Sequence, residues 1–108
     1  MTSEVFAVLN VRGEPLETGE SYAEFLRVAT MSAGVYRIPA NGTDNQSPHQ
    51  EDEVYFVVTG SATFESEGLE RHVSPGDAIF VPAHADHRFK NIEQDLTLLV
   101  LFAPPESG

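Results

Sequence analysis

The stretch Pro48-His49-Gln50-Glu51-Asp52-Glu53-Val54-Tyr55-Phe56-Val57-Val58-Thr59-Gly60 decides how the rest of the chain is read. A histidine is followed four residues later by a glutamate, and an apolar run then stops at a glycine. In extended backbone, residues two or four apart point to the same face, so His49 and Glu53 present an imidazole and a carboxylate to one point. That pair suits a divalent metal. Val54 to Val58 is apolar on both faces, which predicts a strand lining a barrel interior on one side and covered on the other by a further layer or a second subunit. The segment from Gly76 to Asn91 brings His87 as a third candidate ligand.

Outward from this stretch the chain reads as strands and turns. Val5 to Val11 is expected to be a first strand, closed by Arg12-Gly13-Glu14-Pro15. Leu16 to Glu24 is polar and shows no strong period. Glu24 to Met31 alternates, and Val35 to Ile38 closes at Pro39, so both read as strands. Asn41 to Ser47 holds only small or polar residues and is expected to be a loop that delivers the chain to His49. Gly60 is expected to end one strand and Ala62 to Ser66 to form the next, followed by a tight turn at Glu67-Gly68 and a strand over Leu69 to Val73. Pro75-Gly76 has the residues of a type II turn. Further strands are expected at Asp77 to Val81, His87 to Lys90 and Leu96 to Phe102, with Pro104-Pro105 ending the fold. No segment sustains a 3.6-residue apolar period. About nine short strands at such spacing predict an all-β barrel or sandwich.

A chain of 108 residues accommodates one domain, residues 1–108, around one core. Seventeen acidic against six basic residues give a formal charge of −11, which repels phosphate backbones and anionic lipid. Nucleic acid and membrane surfaces are therefore poor partners, and the acidity reads as a solvated, soluble surface. There is no cysteine, so disulfides and thiolate sites are excluded and any metal must be held by nitrogen and oxygen. The longest apolar stretch, Leu98 to Pro105, is too short to span a bilayer, and Met1-Thr2-Ser3-Glu4 carries no basic leader. A cytoplasmic location is the expectation. Phosphate-binding glycine loops, G-x-S-x-G elbows and zinc-protease helices are all missing from the sequence, so nucleotide-dependent and serine-hydrolase readings lack support.

Two segments together resemble the motifs of the cupin superfamily. His49, Glu53 and Gly60 fit the second half of G-x5-H-x-H-x3,4-E-x6-G, and Gly76, Pro82, His87 and Asn91 fit G-x5-P-x-G-x2-H-x3-N at every spacing. The match spans roughly residues 42–91. It implies a double-stranded β-helix, or jelly-roll, barrel with His49, Glu53 and His87 as ligands to a divalent transition metal: iron, manganese, nickel, copper or zinc. Two imidazoles and a carboxylate leave coordination positions open for a small organic substrate, as in non-haem iron oxygenases. Three positions depart from the pattern. Ser47 replaces the first histidine, Asn41 the leading glycine and His84 the glycine after Pro82, and asparagine and histidine tolerate positive φ better than most residues.

Around the ligands, Gln46 is a candidate weak fourth ligand. Tyr55, Val57 and Phe89 are candidates for the cavity wall, because each lies an even number of residues from a ligand on its strand. His84 is a candidate for the pocket mouth, as a proton carrier or simply as a turn residue. Of Tyr36 and Arg37 one must point inward. His72, next to a turn, is expected to be exposed. The resemblance implies a metal-dependent enzyme acting on a small molecule, with dioxygenase-type cleavage ahead of isomerisation, while the doubly apolar run Val54 to Val58 points to a homodimer. The alternative is a non-catalytic module that binds a sugar or small acid, motivated by Ser47.

Overall fold

The computed structural model describes residues 2–107. Six strands form a single antiparallel system: β1 (Ser21–Val28), β2 (Met31–Ile38), β3 (Asp52–Ser66), β4 (Leu69–Val73), β5 (Ala78–Val81) and β6 (His87–Ala103). Their order is β1-β2-β6-β3-β4, with β5 paired to β3. The first half of β3 lies between β5 and the end of β6, and its second half lies between β4 and the start of β6. Two long strands thus run the length of a jelly roll whose sides are closed by shorter ones.

Fewer and longer strands than expected result from two bulges. Gly60 does not end a strand; it sits inside β3 with φ +87°, where the pairing to β6 slips between Val57 and Thr63. A Cβ at this position would overlap the Asp95 carbonyl, so only glycine fits. Likewise the segments expected separately at His87 to Lys90 and Leu96 to Phe102 are one strand, with Asn91 at φ +50° between them. Each bulge changes which alternate residues face inward. Tyr55 and Val57 are buried before Gly60 and Ala62 and Phe64 after it; His87 and Phe89 are buried before Asn91 and Ile92, Leu96, Leu98, Val100 and Phe102 after it. A local inserted residue therefore keeps both halves of each long strand facing one core.

The turns follow the sequence reading closely. Glu67 and Gly68 have φ of +46° and +84°, the pair of positive values that a tight two-residue hairpin requires between β3 and β4. Gly76, Asn41 and His84 also adopt positive φ, at +98°, +60° and +70°. Val5 to Val11, by contrast, is not a strand. Val8–Asn10 forms a single 3-10 turn, and the carbonyls of Leu9 and Val11 accept hydrogen bonds from the Arg37 guanidinium instead of from a neighbouring strand. Without a sheet edge to pair with, an apolar run of that length has no reason to stay extended.

The core is aromatic at its centre. Tyr55 and Phe89 meet edge-to-face with ring centroids 5.0 Å apart, a geometry worth about 0.5–1.5 kcal/mol beyond the area buried. Tyr36 points inward and Arg37 outward, which resolves the parity of β2. On the outer face Phe56 and Phe80 remain 40% and 62% exposed. Among the described residues, no helix is long and apolar enough to cross a membrane.

Candidate metal centre

Three elements deliver the three donors. Glu53 is the second residue of β3, His87 the first of β6, and His49 lies in the loop that enters β3. The two sequence segments are tied by backbone: the His84 N–H donates to the His49 carbonyl at 2.7 Å, and the Ala83 N–H to the Asp52 carboxylate at 2.9 Å. Positive φ at His84 turns the chain so that its N–H meets His49, while its side chain stays exposed. His49, Glu53 and His87 each offer a donor atom, and these atoms lie within 4.8 Å of one another. The side chains of Glu53 and His87 are each 1% exposed.

The protonation of His87 follows from its neighbours. Its Nδ1 lies 3.0 Å from the Ala85 carbonyl, which only accepts, so Nδ1 carries the proton and Nε2 holds a lone pair. That Nε2 is 3.1 Å from Glu53 Oε1 and 3.1 Å from the Tyr55 hydroxyl. The hydroxyl proton goes to Gln46 Oε1, at 2.8 Å. While His87 is neutral, two electron-rich atoms face each other across 3.1 Å and both oxygens of buried Glu53 lack a hydrogen-bond partner. An unpaired buried carboxylate is costly. A cation placed between these donors removes the repulsion and satisfies Glu53, so the residues fit a divalent metal. Burial works against a charged His87, but the Glu53 carboxylate and the Ala85 carbonyl outweigh it and raise its pKa above the ordinary histidine value. Burial, reinforced by Glu53, pushes the Tyr55 phenol well above its usual range and keeps it a donor.

His49 differs in having an oxygen acceptor beside each ring nitrogen. Its Nε2 lies 3.3 Å from Gln46 Oε1 and its Nδ1 lies 3.5 Å from Glu106 Oε2. Gln46 is itself positioned by Asp44, whose buried carboxylate accepts from the Gln46 backbone N–H (3.2 Å) and side-chain amide (3.0 Å), the Tyr36 hydroxyl (2.7 Å) and the Phe89 N–H (2.9 Å). Beside the donors is a cavity of about 150 Å³, walled by Tyr22, Tyr36, Tyr55, Val100 and Phe102 and given polar atoms by Gln46, His49 and Glu106. Gly34 makes room for Tyr22: a Cβ there would overlap the Tyr22 ring and hydroxyl. Burial raises the pKa of both Tyr22 and Glu106.

Of the residues singled out from sequence, Gln46 and Tyr55 border the cavity with His49. Val57 and Phe89 are buried in the core on the same strands, Phe89 packing against Tyr55. Ser47 is exposed and outside the cavity lining, and His72 is exposed beside Glu93. Asp44, Tyr22 and Glu106 were not foreseen. Asp44 sits in a loop of uniformly polar residues, and Glu106 follows a Pro-Pro pair that reads as the end of the fold. Only Gly34, a glycine within an apolar strand, hints that something approaches closely there.

Comparison with known proteins agrees with this fold. The family model of the cupin domain matches residues 34–103, and the chain belongs to the cupin family. It is 42% identical over 105 residues to an uncharacterized protein of Streptomyces coelicolor, covering 96% of this chain and 99% of that one. It is 31% identical over 74 residues to the dimethylsulfoniopropionate lyase DddQ of Ruegeria pomeroyi, a match covering 68% of this chain but only 37% of that protein. The structure of KdgF from Halomonas sp. superposes with a TM-score of 0.82 at 26% identity, covering 95% of this chain and 94% of that chain.

Proposed function

We propose that this cupin is a metal-dependent enzyme acting on a small organic molecule that carries a carboxylate or carbonyl group. The observation that carries the proposal is the convergence of the buried Glu53 carboxylate with two imidazoles, within 4.8 Å, beside a cavity of about 150 Å³. His49, Glu53 and His87 would hold the ion. When bound, it would act as a Lewis acid toward a substrate oxygen. The protein's own groups then do the rest: Val100 and Phe102 exclude water, Tyr55 keeps a proton on its hydroxyl, and Glu106 and Tyr22 present further oxygen atoms to the cavity. Such a lining, acidic and phenolic with no lysine or arginine, suits proton removal and return at a carbon next to the activated group. Lyase or isomerase chemistry is accordingly favoured over oxygen-dependent cleavage, and the partial relationship to a lyase supports the same choice. A homodimer belongs to the proposal too, supported by the outward Phe56 and Phe80.

A second reading, a binding module without turnover, is favoured by Ser47 at the position of the first motif histidine. Metal analysis of tag-free protein beside a His87→Ala variant separates the possibilities. The expected result is about one divalent ion per chain in the wild type and loss in the variant; equal content in both would remove the metal reading. Small carboxylates, dimethylsulfoniopropionate among them, and 1,3-diketones are then assayed for product formation, oxygen uptake and thermal stabilisation. Stabilisation without any turnover would leave only the binding module.

A further inference from the structure

Both imidazoles of the centre keep Nε2 close to the other polar groups, at Gln46 Oε1 for His49 and at Glu53 Oε1 for His87. To offer that nitrogen to a cation, each ring must carry its proton on Nδ1. For His87 the acceptor of that proton is the Ala85 carbonyl. For His49 the group on the same side is the carboxylate of Glu106, 3.5 Å away. Glu106 does not join the three residues whose donor atoms converge within 4.8 Å, so it stands behind His49 and not beside the ion.

The segment that carries Glu106 is anchored on both sides of it. Its backbone N–H donates to Ser32 Oγ at 3.0 Å, its carbonyl accepts from Arg27 Nη2 at 2.6 Å, and the next residue, Ser107, donates its hydroxyl to Glu51 at 2.7 Å. Ser32 and Glu51 are both buried. A side chain placed by three such contacts is held against His49 by the fold.

The geometry points to Glu106 as the positioning residue for His49: its carboxylate accepts the Nδ1–H, competing with Gln46 Oε1 at Nε2 for the ring's proton, and so leaves Nε2 free for a cation shared with Glu53 and His87. This rests on the metal-binding reading above and extends it to a residue beyond both sequence motifs. Carboxylates that orient a ligating histidine in this manner are worth about 10- to 100-fold in metal affinity.

The test titrates metal-free protein with Zn²⁺ in competition with a chromophoric chelator, for wild type, Glu106→Gln and Glu106→Ala. The His49 tautomer is read in parallel by long-range ¹H–¹⁵N NMR of the imidazole. The expected result is an affinity about 10- to 100-fold weaker in Glu106→Ala, a smaller loss in Glu106→Gln, which keeps an acceptor, and a wild-type His49 protonated at Nδ1. Wild type and both variants binding Zn²⁺ within about twofold of one another, with His49 in the same tautomer throughout, would overturn the role of Glu106 and leave the metal centre standing. A wild-type protein that takes up no Zn²⁺, Fe²⁺, Mn²⁺, Ni²⁺ or Cu²⁺ would overturn both. Should Glu106→Ala not fold, the wild-type tautomer and the near-isosteric Glu106→Gln decide the matter.

Discussion

The carboxylate of Asp44 accepts the backbone N–H of Phe89 at 2.9 Å, joining the loop before His49 to the strand that begins at His87. The same carboxylate takes the Tyr36 hydroxyl and both Gln46 donors, so one side chain fixes loop, cavity wall and the group facing His49. Replacing it with alanine leaves a buried N–H and a buried hydroxyl without partners. Asp44→Ala is therefore expected to lower the unfolding free energy by about 2–4 kcal/mol, and Asp44→Asn, which keeps one acceptor, by less. Urea denaturation of the metal-free proteins measures both. A loss below about 0.5 kcal/mol for the alanine variant, the level of an ordinary surface change, would contradict this account.

Gly34 and Tyr22 should behave as a coupled pair. A methyl group at Gly34 would overlap the ring of Tyr22, so Gly34→Ala must expel that ring from the cavity or shift β2, at about 1–3 kcal/mol. Tyr22→Ala alone also costs stability by emptying part of the wall. Once Tyr22 is gone the clash is gone, and the double variant should be scarcely less stable than Tyr22→Ala. Additive losses in a double-mutant cycle would show that the ring is not what Gly34 accommodates.

Much of this arrangement was legible from sequence, for a physical reason: candidate donors spaced by four and turn residues with positive φ are local properties. His49, Glu53 and His87 converge, and Gly68, Gly76, Asn41 and His84 take the positive-φ conformations their residue types tolerate best. What was not legible depends on contacts between distant segments. Glycine is as good a bulge as a terminator, and only the carbonyl of Asp95 lying over Gly60 decides between them. Val5 to Val11 has the composition of a strand and lacks a partner. Asp44 and Glu106 are two carboxylates among seventeen acidic residues, and nothing local marks them out as the ones that meet Gln46 and His49.

The outer face of β3 and β5 offers a separate test. Val54 pairs with Phe80 and Phe56 with Ala78, which places two large apolar side chains on one exposed surface. If a second copy covers it, the wild type should sediment as a dimer at micromolar concentration. A Phe80→Lys variant should then shift toward monomer with little change in the stability of the isolated chain, since Phe80 is 62% exposed there. A monomeric wild type would remove the dimer, and an unchanged dimer in the variant would place its interface elsewhere.

His87 gives the pH dependence two opposite signs. In the metal-free protein its pKa lies above the ordinary value, burial being outweighed by Glu53 and the Ala85 carbonyl. A group shifted in that direction lends stability that is fully present below the unfolded-state value of about 6.5 and is lost as pH rises through the folded-state value. The stability difference between wild type and His87→Gln, both metal-free, should therefore shrink as pH is raised from mild acid to mild alkali. Metal uptake runs the other way, because the proton on Nε2 must leave before a cation can be ligated. Stabilisation by a fixed concentration of free Zn²⁺ should be greatest in mild alkali, and its decline should begin above pH 6.5, before an unperturbed histidine would protonate. Unfolding curves for the two proteins across that range, with and without metal, give both slopes at once. If metal-induced stabilisation in the wild type stayed constant into mild acid, histidine ligation would be excluded, and a stability difference independent of pH would mean that Glu53 and His87 do not share a proton in the metal-free site.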